Sequence, residues 1–350
     1  MDEAAAGAAA RRCWEAIDAR RLDPATALFG EREGRLRRRR RYAHLWPFGG
    51  AWSALCALAS LDGAGAWAAR LDRQLEAVER YRLPDDPHGG LSSGAVPPLG
   101  RGGDRYFDDN AWIGLVLLRH ARLTTTPAAS AKAVELLAFC ARGWLAGDHV
   151  ARPGGIRWKE GLAPGSRNTC SNAPVAELAG ALYLQGGDPA HLELAQRVYA
   201  WTHGALRTVH GLYGDRIATD GTVTSSVLSY NQGTMIGAGV LLHQATGEGH
   251  YLDDAVRTAD ASVARYVDGT ALQREPPAFV AIYLRNLLLL DTVAPDPPRR
   301  DLAAAYASHL VRARGGDGLV PGTGDDGSTL LSSSALVEVC SLLAGAPPLA

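Results

Sequence analysis

The chain has 350 residues, of which 47% are hydrophobic, and its 37 acidic and 36 basic residues leave a formal net charge of −1. This composition is typical of a globular protein with a sizeable core. A nearly neutral chain has no global field to attract nucleic acid or an anionic membrane, so we expect neither as a partner.

The cysteines argue against both a disulfide framework and a zinc site. They are odd in number, lie far apart and include no C-x-x-C pair. We expect small core residues at all five positions, which are Cys13, Cys56, Cys140, Cys170 and Cys340.

The first residues are acidic and then alanine-rich, without the basic and apolar regions of a signal peptide. Apolar runs such as 287–290 are far shorter than the roughly 20 residues that cross a bilayer. We therefore expect a cytoplasmic protein without a membrane span.

In chain order, most segments repeat apolar residues at helical spacing, and strand-like alternation is scarce. An arginine cluster comes first, made of Arg35 and residues 37–41. It could bind phosphate, but a basic run without interleaved aromatic residues is typical of a solvated helix face. Between the helical segments lie loops rich in Gly, Pro, Asp and Ser, at 84–90, 97–103, 153–165 and 211–221.

A weak internal repeat places helix boundaries at Thr126-Pro127, Asp188-Pro189 and Glu248-Gly249, about 60 residues apart. A helical hairpin with its connections needs about that length. Six hairpins then fill the chain, which predicts an all-α fold, an (α/α)6 toroid formed by residues 1–350 as a single domain. In such a ring, loops on one face form a funnel into which the inner helices point their N-terminal ends.

The densest chemical signal is GGDRYFDDNAWIGLVLL at 102–118, where a glycine-rich loop leads into Asp108 and Asp109 at a helix start. Acidic residues there commonly cap the helix. However, Asp104 is available as a cap, and the aromatic residues Tyr106 and Trp112 suit the faces of sugar rings. These features favour a glycan site.

Two nearby carboxyl groups can divide the work of a glycosidase. Their repulsion raises one pKa, so that one group stays a protonated acid while the other is ionised. A separation of about 5 Å gives retention of anomeric configuration, and roughly 6.5 to 9.5 Å gives inversion. Adjacent positions in the sequence favour the shorter distance.

At these residues the chain resembles glycoside hydrolase family 76, a group of bacterial and fungal α-1,6-mannanases. The resembling segments follow in order along the chain. Besides YFDDNAWIGL they are LWPFGGAWSAL at 45–55, GGIRW at 154–158, residues 171–201, residues 229–255 and FVAIYLRNL at 279–287.

The resemblance implies an (α/α)6 barrel and a retaining enzyme acting on α-1,6-linked mannosides. Asp108 would then be the nucleophile and Asp109 the general acid/base. Neither a cofactor nor a metal ion is implied, and the expected partner is a carbohydrate substrate.

Side chains near the predicted helix starts are candidates for substrate binding, because amides, hydroxyls and rings suit sugars. Several of them equally suit helix capping or core packing. The substrate-binding candidates are Phe107, Asn110, Arg157, Trp158, Asn172, Asp215, Tyr230, Asn231 and Gln232. For Trp46 and Trp52 we favour a place in the core.

Arg157, Val280 and Ala281 depart from the residues usual in the family. Arg157 could meet a carboxylate or phosphate on a substrate. An alternative function is therefore a glycosidase for a small intracellular glycoside or a specialised metabolite. A further alternative is a glycan-binding protein of the same fold without catalysis.

Two other classes fit the sequence less well. A terpene cyclase would need a D-D-x-x-D ligand set, which neither Asp108-Asp109 nor Asp253-Asp254 completes. A sugar epimerase or lyase would use histidines. The loop candidates His44, His88 and His149 show no pairing in the sequence.

Overall fold

A computed structural model describes residues 1–31, 42–84, 86–147, 150–161, 165–268, 270–323 and 328–348. The arginine cluster at 35–41 and His149 lie outside these residues. Six helices form an inner ring: α2 (Leu45–Asp62), α4 (Phe107–Thr124), α6 (Thr169–Gly186), α8 (Ser229–Thr246), α11 (Pro277–Asp291) and α13 (Thr329–Leu343). Six form an outer layer: α1 (Glu3–Arg21), α3 (Ala68–Ala77), α5 (Pro127–Ala141), α7 (Pro189–Leu206), α9 (Gly249–Tyr266) and α12 (Pro297–Ala313). A short helix, α10, spans Thr270–Gln273.

The inner helices form a closed ring. Each packs against the next in the order α2, α4, α6, α8, α11, α13, and α13 packs back against α2. Outer and inner helices alternate along the chain, so each hairpin contributes one helix to each layer. The prediction of an all-α, six-hairpin toroid is confirmed.

The three helix boundaries predicted from the repeat are confirmed, and each has a local cause. The inner helices α6 and α8 are capped at their C-terminal ends by Gly187 and Gly247, which both have φ 74°. Glycine takes this left-handed conformation without steric cost. Two outer helices, α5 and α7, begin with Pro127 and Pro189, and proline suits the first helical position because its missing N–H would have no partner there.

The two layers differ in how their helices are buried. In outer helix α9 the buried residues recur at helical spacing, from Tyr251 through Ala255 and Thr258 to Ser262 and Tyr266. Inner helices α6 and α8 are buried on all sides over residues 169–182 and 229–242. Such all-round burial is expected of a helix surrounded by other helices.

Close approach between inner helices requires glycine at particular positions. A Cβ on Gly233 of α8 would lie 2.6 Å from the Tyr283 Cα of α11, and one on Gly114 of α4 would lie 2.4 Å from the Leu178 Cδ2 of α6. Real Cβ atoms do not approach other atoms this closely. At Gly114 the Leu178 side chain could move aside, but at Gly233 the neighbouring atom is backbone, so the spacing of α8 and α11 depends on this glycine.

Long loops precede the inner helices, and the loops before α6 and α8 together form a small antiparallel sheet. Its strands are β1 (Arg167–Asn168), β2 (Arg216–Ile217) and β3 (Val223–Thr224), in that order. Arg167 pairs with Ile217, and Ile217 pairs with Val223. The sheet fixes the start of α6. Among the described residues, no helix is long and apolar enough to cross a membrane.

Candidate active site

One large cavity, of about 1110 Å³, opens at the N-terminal ends of the inner helices. Each of the six helices contributes a side chain from its first three positions. These side chains are Trp46, Asp108, Cys170, Tyr230, Phe279 and Leu331. The predicted funnel, into which the inner helices point their N-termini, is therefore present.

Asp108 lies in the first turn of α4 and receives three hydrogen bonds. Trp158 Nε1 donates to its Oδ2 at 2.9 Å, and the Cys170 thiol donates to the same oxygen at 3.4 Å. The backbone N–H of Asp109 donates to its Oδ1 at 2.9 Å. Donors of this kind favour the ionised form of a carboxyl group.

Burial acts on both carboxyl groups but with different results. It raises the pKa of Asp108 from 3.8 to about 6, while the three donors oppose the rise. Burial, and then the charge of Asp108, raise the pKa of Asp109 well above its ordinary value. Close to neutral pH, Asp108 is therefore the ionised member of the pair and Asp109 the protonated one.

The capping interpretation of this pair is only partly right. Both aspartates lie in the first turn of α4, where they complement the helix dipole, but the N-cap residue is Tyr106. Asp104 does not cap the helix as expected. It accepts a hydrogen bond from Lys159 Nζ at 2.6 Å, which ties the loop before α4 to the loop before α6.

Three pairs of aromatic rings surround the aspartates in the cavity. Tyr106 and Trp158 have ring centroids 4.9 Å apart, Trp46 and Trp112 are 5.6 Å apart, and Tyr230 stacks on Phe279 at 4.0 Å. Trp158 is 38% exposed. Such rings can stack against the apolar faces of sugar rings.

Asn110, Asn172 and Gln232 were predicted to bind substrate, but in the structure their amides form hydrogen bonds with the backbone of loops. Each is the fourth residue of an inner helix, is fully buried, and holds a preceding loop through its amide. The Asn110 amide pairs with the backbone N–H and C=O of Leu91 at 2.7 and 3.1 Å.

The other two amides repeat this arrangement at intervals of about 60 residues. Asn172 pairs with the backbone of Ile156 at 2.6 and 2.9 Å, and Gln232 with that of Tyr213 at 2.8 and 2.9 Å. Because all hydrogen-bonding groups of these amides are engaged, the residues shape the cavity by fixing its loops and do not reach into it.

Phe107 and Asn231 are also placed away from the cavity. Phe107 is 1% exposed and packs on Phe139, with ring centroids 5.1 Å apart. Asn231 is fully buried within α8, and its amide atoms have no hydrogen-bond partner among the described residues. Neither side chain is positioned to contact a ligand in the cavity.

Arg157 and Asp215 do not line the cavity, although both lie near it. The Arg157 Nε is buried without a partner among the described residues. Asp215 lies next to strand β2, and burial raises its pKa. Its charge in turn helps to raise the pKa of the Cys170 thiol and of the Tyr230 hydroxyl. Of the nine substrate-binding candidates, Trp158 and Tyr230 line the cavity.

Several cavity residues were missed from the sequence. Trp46 was assigned to the core, yet it lines the cavity, whereas Trp52 is fully buried as expected. Cys170 was expected to be a plain core residue, but its thiol contacts Asp108. Phe279 and Leu331 were not singled out. A search of the second and third positions of every inner helix would have found all four.

The histidine candidates do not form an acid/base pair in the described part of the chain. His44 lines the cavity and lies 3.9 Å from the Glu31 carboxylate. His88 does not line it. This geometry gives no support to an epimerase or lyase that uses two histidines.

Comparison with known proteins agrees with the fold. The model of glycosyl hydrolase family 76 matches residues 26–315. The fold is similar to that of a family 76 mannosidase from Bacteroides thetaiotaomicron, with a TM-score of 0.82, 20% identity, and coverage of 97% of this chain and 98% of that one.

A second similar structure is an inactive variant of an α-1,6-mannanase from Salegentibacter sp. HEL1_6, in complex with α-1,6-mannotriose. Its TM-score is 0.74 at 25% identity, with coverage of 97% of this chain and 99% of that one. The mannan endo-1,6-alpha-mannosidase of Saccharomyces cerevisiae is 24% identical over 195 residues, which are 50% of this chain and 42% of the yeast protein. Since the family model covers most of the chain, the protein belongs to glycosyl hydrolase family 76.

Proposed function

We propose that the protein is a retaining glycoside hydrolase that cleaves α-1,6-linked mannosides. Asp108 is the nucleophile and Asp109 the general acid/base. The observation that carries this proposal is that two adjacent carboxyl groups share one aromatic-lined cavity, where the pKa of Asp108 is raised to about 6 and the charge of Asp108 raises the pKa of Asp109 in addition to burial.

In the first step, the ionised Asp108 attacks the anomeric carbon and forms a glycosyl ester. Asp109 gives its proton to the departing glycosidic oxygen, so the leaving sugar departs as an alcohol. The three donors on Asp108 support this assignment, because they hold its carboxylate in place and keep it ionised.

In the second step, Asp109 is ionised and takes a proton from water, which attacks the anomeric carbon and releases Asp108. Two inversions at that carbon give net retention. Once the ester has formed, Asp108 carries no charge and no longer adds to the rise in the pKa of Asp109 that burial causes. Asp109 can therefore act first as acid and then as base.

A neutral glycan suits this cavity better than a charged ligand. Its described wall has one arginine, Arg101, and no lysine, whereas Glu31, Asp104 and the aspartate pair supply carboxyl groups, so it has no cluster of basic side chains to hold an anion. Its volume of about 1110 Å³ is slightly above the roughly 300–1000 Å³ usual for small-molecule pockets, which leaves room for more than one sugar unit.

The comparison with the Salegentibacter mannanase supports the aspartate pair as the catalytic groups. In that protein, two consecutive aspartates are replaced by asparagine in the inactive variant that binds α-1,6-mannotriose. The described residues of this chain contain two pairs of adjacent aspartates. Asp108-Asp109 lines the cavity, whereas Asp253-Asp254 lies on outer helix α9.

The test is incubation with α-1,6-mannobiose, α-1,6-mannan and a panel of aryl α-glycosides, with NMR of the first-formed anomer. We expect mannose-containing products released as the α-anomer. An initial β-anomer would overturn the assigned roles. Turnover of other glycosides only would favour the small-glycoside alternative, and binding without turnover would favour a non-catalytic protein.

We also propose that the whole chain acts as one domain, since α1 and α13, from its two ends, pack against each other. A carbohydrate is the proposed partner. The cytoplasmic location stays a prediction.

A further inference from the structure

A buried ionic cluster lies on the axis of the ring, below the large cavity. Arg119 of α4 and Arg285 of α11 both donate to Glu338 Oε1 of α13, at 3.3 and 2.8 Å. Ser53 of α2 donates to Glu338 Oε2 at 3.2 Å and accepts from Arg119 at 2.6 Å. Both carboxylate oxygens of Glu338 are thus engaged.

A chamber of about 40 Å³ lies between this cluster and the large cavity. Trp46, Trp112 and Leu331 line both spaces, so they form the floor of one and the roof of the other. The polar side chains that line the chamber are Ser53, Arg119, Arg285, Ser334 and Glu338. The remaining wall is apolar or glycine.

The side chains around the chamber have more hydrogen-bond donors than acceptors. Arg119 Nε and Nη2, Arg285 Nε and Ser334 Oγ are buried and have no partner among the described residues. Both arginine side chains are 5% exposed. Buried guanidinium groups in native proteins normally find acceptors for these protons.

The charged groups that line the chamber are two guanidinium groups and the one carboxylate of Glu338. The next carboxyl group, Glu177 of α6, does not line the chamber. Its charge acts on both guanidinium groups, but its oxygens accept no hydrogen bond from them among the described residues. Glu177 packs against Gly237 and Asn286, so the donors at the chamber keep no acceptor.

We propose that the chamber binds a small monovalent anion of the halide type, held by Arg119, Arg285 and Ser334. An anion in the chamber accepts hydrogen bonds from the unpartnered donors of the two guanidinium groups and of Ser334. A cavity needs roughly 10–15 Å³ of volume to hold one water molecule. The chamber, at about 40 Å³, is therefore large enough for a halide ion but too small for an organic anion such as gluconate. This inference does not depend on the proposed glycosidase activity.

The direct test uses the unmodified protein. Crystals grown in sodium bromide should show an anomalous bromide peak within hydrogen-bonding distance of Arg119 and Arg285. The melting temperature should rise and saturate with increasing chloride or bromide, and should not do so with sodium gluconate at equal ionic strength. Absence of the peak, or equal melting temperatures in all three salts, would overturn the proposal and leave a chamber filled by water.

A matched pair of variants on α13 localises the effect. Ser334 and Ser341 are both buried and both unpartnered, but only Ser334 lines the chamber. Ser334→Ala should need several-fold more halide for half-maximal stabilisation, whereas Ser341→Ala should match the wild type. Equal halide dependence in both variants would contradict the assignment of Ser334.

Discussion

Replacing Trp158 with phenylalanine separates the two tasks that its indole performs. The ring faces the cavity beside Tyr106, and its Nε1 donates to Asp108 Oδ2 at 2.9 Å. Phenylalanine keeps an aromatic face for a sugar but removes the donor. We expect the pKa of Asp108 to rise above its present value of about 6.

The size of this rise follows from the hydrogen bond. A bond to a charged group contributes about 1.5–3 kcal/mol, and the lower end applies here because Trp158 is 38% exposed. That free energy corresponds to roughly one pH unit. The acid limb of the kcat/KM profile, which reports the first ionisation of the aspartate pair, should therefore move up by about one unit.

The assay is the pH dependence of kcat/KM for an aryl α-mannoside. Well below the pKa, Trp158→Phe should be roughly tenfold less active than the wild type, and the two should approach each other at the plateau. Trp201→Phe is a suitable control, because the Trp201 Nε1 donates to the backbone of Pro153 and the residue lies on outer helix α7. If kcat/KM were lower by the same factor at every pH and the acid limb did not move, the hydrogen bond from Trp158 would not set the pKa of Asp108. Trp158 would then only stack against the sugar.

Other predictions concern the general acid Asp109, the effect of Asp108 on stability, and the amide of Asn172 that holds a loop. Asp109→Asn should lower kcat/KM, which reports the steps up to formation of the glycosyl ester, by roughly 10²- to 10⁴-fold on a mannobiose and much less on an aryl mannoside with a good leaving group, since that departure needs little protonation; equal losses of kcat/KM on both would contradict its role as acid. Burial raises the pKa of Asp108 in the folded protein from 3.8 to about 6, and it raises the pKa of Asp109 as well. As pH rises from 3.8 to about 6, the unfolded chain loses these protons more readily than the folded protein, so the free energy of unfolding falls. Asp108→Asn should then gain up to about 3 kcal/mol in unfolding free energy at pH 8 but nothing at pH 3.5, and denaturant melts showing a pH-independent difference would exclude this cause. Asn172→Ala leaves the buried N–H of Ile156 unpaired and should lower the free energy of unfolding by about 2–4 kcal/mol. The control Gln185→Ala, at an exposed position, should lower it by at most about 0.5 kcal/mol. Equal urea midpoints for the two variants would show that the hydrogen bonds of Asn172 do not stabilise the fold.

The sequence carried enough information for the fold because its signals are local. Prolines at 127 and 189 begin outer helices, and glycines at 187 and 247 end inner ones, so the repeat is visible in the chain itself. The aspartate pair was found for the same reason. Its glycine-rich loop and aromatic neighbours are all close in sequence.

The wall of the cavity was harder to predict because six distant helices build it. Trp46 and Trp52 look alike in sequence, but only Trp46 stands at the second position of an inner helix, which places it at the opening. Polar residues after a loop were equally ambiguous. Asn172 and Gln232 suited either a sugar or a backbone amide, and their partners Ile156 and Tyr213 became evident only in three dimensions.

The most direct test of the central claim is to trap the glycosyl ester. The protein is incubated with an activated 2-deoxy-2-fluoro-α-mannoside, and the modified residue is identified by peptide mass spectrometry. We predict one covalent sugar on Asp108, and none in Asp108→Asn. An adduct on Asp109, or an inverted product with no adduct, would contradict the assigned mechanism.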